Sequence, residues 1–177
     1  MNDPFVSLVV PVLDDAAELE SLLDALPPTT DAPGLEVIVV DGGADPALGP
    51  LRDRFTEVRW SASLPGRGRQ MNHGASLARG RWLIFVHADT RLSPGWDGEI
   101  ARADATAGVV GGSFRFALET PAWQARLLER GVRWRVRWLD LPYGDQALFV
   151  RREAFESVRG YRDWPLMEDV DLVRRLR

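Results

Sequence analysis

At 177 residues, with 45% hydrophobic and 27% charged residues, the chain has the size and balance of one core-forming globular domain and not of a disordered segment. A net charge of -4 speaks against nucleic acid as the general partner, which calls for a clearly basic surface. All 22 basic residues are arginine and there is no cysteine, so arginine clusters reflect composition before function, and disulfides, thiolate catalysis and cysteine-ligated zinc are excluded.

The N-terminus, MNDPFVSLVV, has neither the basic start nor the long apolar run of a signal peptide. No apolar run approaches the ~20 residues of a membrane span, so the expected compartment is the cytoplasm. Val6 to Val12 reads as a buried strand, and Asp14–Asp15 before AAELESLLDAL reads as a capped amphipathic helix ending at Pro27–Pro28. Leu35 to Val40 is a second buried strand closed by DGGAD, and Val58 to Ser61 a weaker third, leading through LPGRGRQ into a helix that runs to Ala78. Trp82 to Val86 is the fourth strand, and SPGWDGEIARAD starts a helix with a Ser cap and a Pro in its first turn.

Alternation of strands and helices predicts an α/β fold with a mostly parallel, Rossmann-like sheet and helices on both faces, because parallel strands need crossovers. After residue 105 the rhythm changes. GVVGGSFRFAL predicts a longer strand, alternating from Ser113 to Leu118; a Trp- and Arg-rich helix spans about 121–139; then come the strand ALFVRR, a turn at RGYRDWP and a helix opened by MEDVD. The expectation is one domain over 1–177 with a first half, 1–105, and a mixed second half, 106–177. The helical pattern of EDVDLVRRLR has no stop signal, which leaves the C-terminal boundary open.

In open parallel sheets, ligands sit at the C-terminal ends of the strands. Four successive strand ends here are polar or glycine-rich: PVLDD, VDGGAD, PGRGRQMN and HADT. Their loops would gather Asp15, Asp41, Arg67 to Arg69, His87 and Asp89 at one edge. Each piece also has a plain structural explanation, as a helix cap, a turn, a loop or a buried histidine; the joint occurrence favours a site. Asp89 offers the hard oxygen that Mg2+ or Mn2+ takes, and imidazole at 87 tilts the choice toward Mn2+ or another transition metal. In an extended segment the two side chains would point to the same side.

At these residues the chain resembles the family 2 glycosyltransferases of GT-A fold, inverting enzymes that use nucleotide-sugar donors. The matching pieces, in the family's order, are VSLVVPVLDD, VIVVDGGAD, GRGRQMNHGASLARG, FVHADT in place of Asp-x-Asp, and MEDVDLVRRL; the variant HADT together with GDQALFVRR is similar to a bacterial branch. The resemblance implies that Pro11, Asp15 and Asp41 line the nucleoside pocket and that the Gly68–Arg69 loop lies against the nucleotide. It implies Asp89 as the ligand of a divalent metal, Mn2+ or Mg2+, on the diphosphate of a UDP- or GDP-linked donor, with His87 in the first Asp position. It further implies Asp169 as the base, with Glu168 beside it, and Asp145 and Gln146 on the acceptor side. The 1–105 half would then hold the nucleotide sugar and the 106–177 half the acceptor and the base.

In WQARLLERGVRWRVRWL, Arg126, Arg130, Arg133 and Arg137 form one helical stripe beside Trp123, Leu127, Trp134 and Trp138. Such a helix can lie on an anionic membrane surface, which would bring the protein to the inner face of the membrane and suit a lipid-linked acceptor. Alternatively it packs its Trp face on the sheet and solvates its Arg face, the reading that the all-arginine composition favours. A nucleotidyltransferase would need a glycine-rich basic loop after the first strand, where PVLDD is acidic. A nucleotide-sugar-binding module without catalysis stays open, although Asp89 and Asp169 argue for an enzyme.

Overall fold

The computed structural model describes residues 3–27, 34–114, 147–164 and 166–177. The expected Trp- and Arg-rich helix, the distal part of the alternating strand, and Asp145 and Gln146 lie outside them.

Strands β1 (Val6–Val12) and β2 (Leu35–Asp41) are continuous apolar runs, buried along almost their whole length. Such runs form the centre of a sheet that is covered on both faces. Together with β3 (Arg59–Ala62) and β4 (Trp82–Phe85) they make a parallel set. The short β5 (Gly111–Ser113) and β6 (Leu148–Arg151) complete a six-stranded sheet of order β3-β2-β1-β4-β6-β5, in which β6 runs antiparallel to β4 and to β5. The expected mostly parallel sheet with a mixed second half is therefore what forms.

Alternation along the strands divides the core in two. Val6, Leu8, Val10 and Val12 of β1 face one layer with Trp82 and Ile84 of β4. That layer holds α1 (Ala16–Ala25), α2 (Gly49–Arg54) and α4 (Trp96–Ala105), through Leu19, Leu22, Leu51 and Ile100. Val9, Ile38, Leu83 and Phe85 face the opposite layer. There lie α3 (Arg67–Leu77), α5 (Arg152–Ser157) and α6 (Glu168–Arg175), through Met71, Phe155 and Leu172. Helix α3 lies very close to β1 because position 74 is glycine: a Cβ there would come within 2.4 Å of Val9 Cγ1.

Three local expectations are corrected. Helix α4 starts at Trp96 behind Gly95 in left-handed conformation (φ 84), with no side-chain cap; Ser93 instead closes a tight turn, its carbonyl accepting from Trp96 N at 3.2 Å. A 3-10 turn at Pro46–Leu48, capped by Asp45 Oδ1 accepting from Ala47 N at 2.8 Å, leads into α2 where the sequence reading had only a connection. Asp-Pro is a helix-start signature, so that signal was present. The strand ALFVRR ends at Arg151, and Arg152 opens the short helix α5.

The order β3-β2-β1-β4 means that the chain leaves β1 toward one side and returns to its other side at β4. The crevice between the C-terminal ends of β1 and β4 is thus a topological switch point, the place where such sheets bind ligands. Pairing of β1 with β4 ends at Val9–Phe85, with a last bond from Val86 N to Val9 O of 3.1 Å, while β1 continues to Val12. Pro11, which has no N–H to donate, falls in that unpaired stretch.

Candidate functional site

Beyond β1 the chain passes through Asp14, at an unusual positive φ of 57, into Asp15 at the N-cap of α1. The Asp15 side chain makes no capping hydrogen bond, so the cap explanation accounts for its position and not for its carboxylate, which stays exposed at the switch point. Pro11 is buried beneath it in β1.

Asp41 ends β2 and is almost fully buried, with 1% of its surface exposed. Its Oδ1 accepts from Gly43 N at 2.9 Å and its Oδ2 from Arg52 Nη2 at 3.1 Å. The DGG segment is therefore a turn stabilised by its own aspartate, and the same carboxylate keeps lone pairs for a further donor.

His87 and Asp89 follow β4. They do not continue the strand: Thr90 N donates to the His87 carbonyl at 3.0 Å, closing a turn through Ala88 and Asp89. The extended-segment argument for a shared side therefore lapses, although the two remain close enough for the Asp89 charge to act on the imidazole. Burial, and secondly the positive charge of Arg67, push His87 down to about 4 against the pull of Asp89. The ring is thus neutral at physiological pH, the form that can ligate a metal. Asp89 is exposed. Among the described residues no group of three His, Asp or Glu side chains is arranged to hold a metal ion. This pair fits an ion that completes its shell with phosphate oxygens and water, as Mg2+ commonly does.

Glu168 and Asp169 open α6 behind Met167, which is left-handed at φ 68. Both are buried, at 3% and 5% exposure. Glu168 Oε1 has no hydrogen-bond donor among the described residues, and the Arg67 guanidinium lies 3.6 Å away. Arg67 therefore stands between the metal-ligand candidates and the catalytic candidates. The next acid, Asp171, is held by Arg162 at 3.2 Å and Arg175 at 2.7 Å, which leaves it a structural part.

What joins these pieces is α3, in which Gly68 and Arg69 were expected at the site and Gln70 and Asn72 were not. Gln70, 3% exposed, donates from Nε2 to the carbonyls of Val12 at 2.8 Å and Val40 at 2.9 Å, stitching the ends of β1 and β2. Asn72 clasps Tyr161 in both directions, donating to its carbonyl at 2.8 Å and accepting from its N–H at 2.9 Å. Gly68 and Arg69 belong to the first turn of α3 and not to a free loop. Gly68 lies under residues 161–162, where a Cβ would come within 3.1 Å of the Arg162 carbonyl. Arg69 pairs with Asp163 through two bonds, of 2.8 and 2.5 Å. One signal could have found Gln70: it shares the buried face of Met71 and Gly74, and a polar residue on an apolar helical stripe has to be explained by a partner.

The structure thus brings Pro11, Asp15, Asp41, His87 and Asp89 to one sheet edge and places Glu168 and Asp169 across Arg67 from them; Asp145 and Gln146 lie outside the described residues. Among the described residues no helix is long and apolar enough to cross a membrane.

Comparison with known proteins agrees with this architecture. A PGL/p-HBAD biosynthesis glycosyltransferase of Mycobacterium bovis is 31% identical over 98 residues, covering 52% of this chain and 38% of the relative. The chain thus spans well under half the length of such curated relatives. A mannosyltransferase from Pyrobaculum calidifontis, solved with GDP-Man and Mn2+, superposes with a TM-score of 0.71 at 20% identity, covering 99% of this chain and 52% of its own. Glucosyl-3-phosphoglycerate synthase from Mycobacterium tuberculosis, solved with Mn2+, UDP and glucosyl-3-phosphoglycerate, gives 0.66 at 21% identity, with 98% and 66% covered. These neighbours are GT-A glycosyltransferases, and the fold is theirs. The family model described as glycosyl transferase family 2 matches residues 7–159, so the chain belongs to the family 2 glycosyl transferases.

Proposed function

We propose that the chain carries the donor-binding and catalytic centre of a metal-assisted, inverting glycosyltransferase that moves a sugar from a UDP- or GDP-linked donor to an acceptor hydroxyl. The observation that carries this reading is the convergence of Asp41, His87 with Asp89, and the buried pair Glu168–Asp169 around the first turns of α3. The GDP-Man, UDP and Mn2+ bound by the neighbours support the donor class.

In this reading Asp41 accepts from the edge of the nucleobase, with Pro11 and Asp15 forming the adjacent walls and Arg69 the far side. A divalent ion held by Asp89 and the neutral His87 would neutralise the charge that builds on the leaving diphosphate. Asp169 takes the proton of the acceptor hydroxyl as its oxygen attacks the anomeric carbon from the face opposite the diphosphate, which inverts that centre. Glu168, buried and short of donors among the described residues, is suited to receive a second substrate hydroxyl. The exposed side chains of Leu64, Trp164, Leu166 and Met167, on loops at this same end, suit an acceptor with an apolar portion, including a lipid-linked one.

The test is calorimetric titration of UDP and GDP with and without Mn2+, on the wild type and on Asp89→Ala. Mn2+-dependent binding that disappears in the variant supports the site and selects the nucleotide for donor screening. Binding indifferent to both the metal and Asp89, or no binding of either nucleotide, would remove this function.

A further inference from the structure

Both oxygens of the Asp41 carboxylate are engaged, Oδ1 by Gly43 N at 2.9 Å and Oδ2 by Arg52 Nη2 at 3.1 Å. The two halves of that ion pair differ in access: the Asp41 side chain is 1% exposed and that of Arg52 44%. Most of the surface that the pair offers to a ligand therefore belongs to the guanidinium. Arg52 reaches this place from α2, on the layer that Asp41 itself faces, since Val37 and Val39 precede Asp41 on the same side of β2 and belong to that layer. Trp60 of β3 stands opposite Val39 in register, with its Nε1 anchored on the Phe55 carbonyl at 3.2 Å. The guanidinium carbon of Arg52 lies 5.8 Å from the centre of that ring. Carboxylate and indole thus hold a planar donor fork beside the C-terminal end of β2.

Among the described residues the fork makes one hydrogen bond, to Asp41, and a guanidinium has further donors to give. Bracing of Asp41 accounts for Nη2 alone. A carboxylate with a guanidinium at its side is an acceptor next to donors, and its complement is a ring N–H next to a carbonyl. Uracil carries that edge at N3–H between its two carbonyls, and guanine at N1–H beside O6. Cytosine and adenine present the reverse, a bare ring nitrogen beside an amino group.

We propose that Arg52 is a specificity-determining residue of the nucleotide pocket: Asp41 accepts the ring N–H of a uracil or guanine edge, and Arg52 donates to the carbonyl beside that N–H. This rests on the reading of the Asp41 strand end as a wall of the nucleotide site. Cytosine or adenine would set an amino group against the guanidinium and a lone pair against the carboxylate. Polar groups left unpaired in this way are what lets a site reject a near-isosteric ligand.

The experiment is calorimetric titration, with Mn2+ present, of UDP, 2-thio-UDP, 4-thio-UDP and CDP into the full chain and its Arg52→Ala variant; GDP, 6-thio-GDP and ADP take their place if GDP is the nucleotide that binds. Sulfur in place of the carbonyl oxygen keeps the ring N–H and weakens only the acceptor. In the wild type one thio analogue binds about tenfold more weakly than its parent, and CDP or ADP more weakly still. In Arg52→Ala the parent nucleotide loses about tenfold and the gap to that analogue closes, because the two changes remove the same hydrogen bond. If Arg52→Ala weakens every nucleotide alike and the gap persists, Arg52 is only a brace of Asp41 and the proposal is overturned. Removing a cation beside a buried carboxylate can itself cost stability, so the second measurement uses the wild type alone: thio analogues that bind as tightly as their parent also overturn the proposal. Those two outcomes leave the glycosyltransferase reading standing. Binding of neither UDP nor GDP by the wild type removes that reading, and the role of Arg52 with it.

Discussion

Gln70→Leu isolates the stitch between β1 and β2. Leucine keeps most of the side-chain volume and removes the Nε2 donor that serves the Val12 and Val40 carbonyls at 2.8 and 2.9 Å. The Val12 carbonyl keeps one donor, Gly42 N at 2.9 Å, and Val40 stays in register between β1 and β3, so the variant weakens the stitch without stripping either strand end of its ladder. Two buried hydrogen bonds at ~1 kcal/mol each, with part of the desolvation of one carbonyl, amount to ~2.5 kcal/mol. For a chain of this length that lowers Tm by about 5–10 °C. Gln70→Glu has nearly the same shape but turns a carboxylate toward two carbonyl oxygens. Burial raises the folded pKa of that carboxyl above its unfolded value. Stability that the protonated form retains at low pH is therefore lost as pH rises through the folded pKa. Thermal melts of both variants, at acid and at mildly alkaline pH, provide the assay. A Gln70→Leu melt within about 1 °C of wild type, or a Gln70→Glu deficit that does not grow with pH, would refute the assignment of the stitch to this amide.

Two further outcomes follow from the site. His87 is depressed from 6.5 to about 4 in the folded chain, so below pH 6.5 the unfolded chain takes up a proton that the native state resists. Stability is then fully present above pH 6.5 and falls between there and about 4, by ~2 kcal/mol after allowing for the ring's partial exposure; denaturation of His87→Gln should lack this part of the acid slope, and an identical slope would show that the ring is not buried against Arg67. Arg69→Ala breaks only an exposed ion pair with Asp163, so Tm should stay within about 2 °C while UDP or GDP affinity drops severalfold; unchanged affinity would remove Arg69 from the nucleotide wall.

The parts of the fold that could be read directly are those where burial on both faces writes itself as an uninterrupted apolar run: Val6–Val12, Leu35–Asp41 and Trp82–Phe85. Short elements such as α2 and α5, six residues each, carry too few turns for a helical period to show. At the candidate site, Asp41, His87 and Asp89 could be picked out because they lie at or just beyond strand ends, and strand ends are where a parallel sheet meets its ligand. The turn at His87–Thr90 could not, since a single backbone bond decides it. The contributions of Gln70, Asn72 and Tyr161 come from partners 58 and 89 residues away in sequence, and no local pattern reports a partner at that separation. Arg52 beside Asp41 has no sequence signal at all.

The arrangement of α3 has a consequence for how such a protein can change. One rigid rod of 11 residues, ~16 Å long, is bolted to the ends of β1 and β2 through Gln70 and to the segment before α6 through Asn72. The spacing between the strand ends that carry Asp41 and the segment that leads to Glu168 and Asp169 is therefore a property of a single part, and a substitution in that part is felt at both ends together. The segments after β1 and β3, with Leu13 and Leu64 facing solvent, are not bolted in this way. Selection for a new donor or acceptor can work there at little cost to the frame, which makes these two segments, and not α3, the place to look for differences in specificity between otherwise similar sequences.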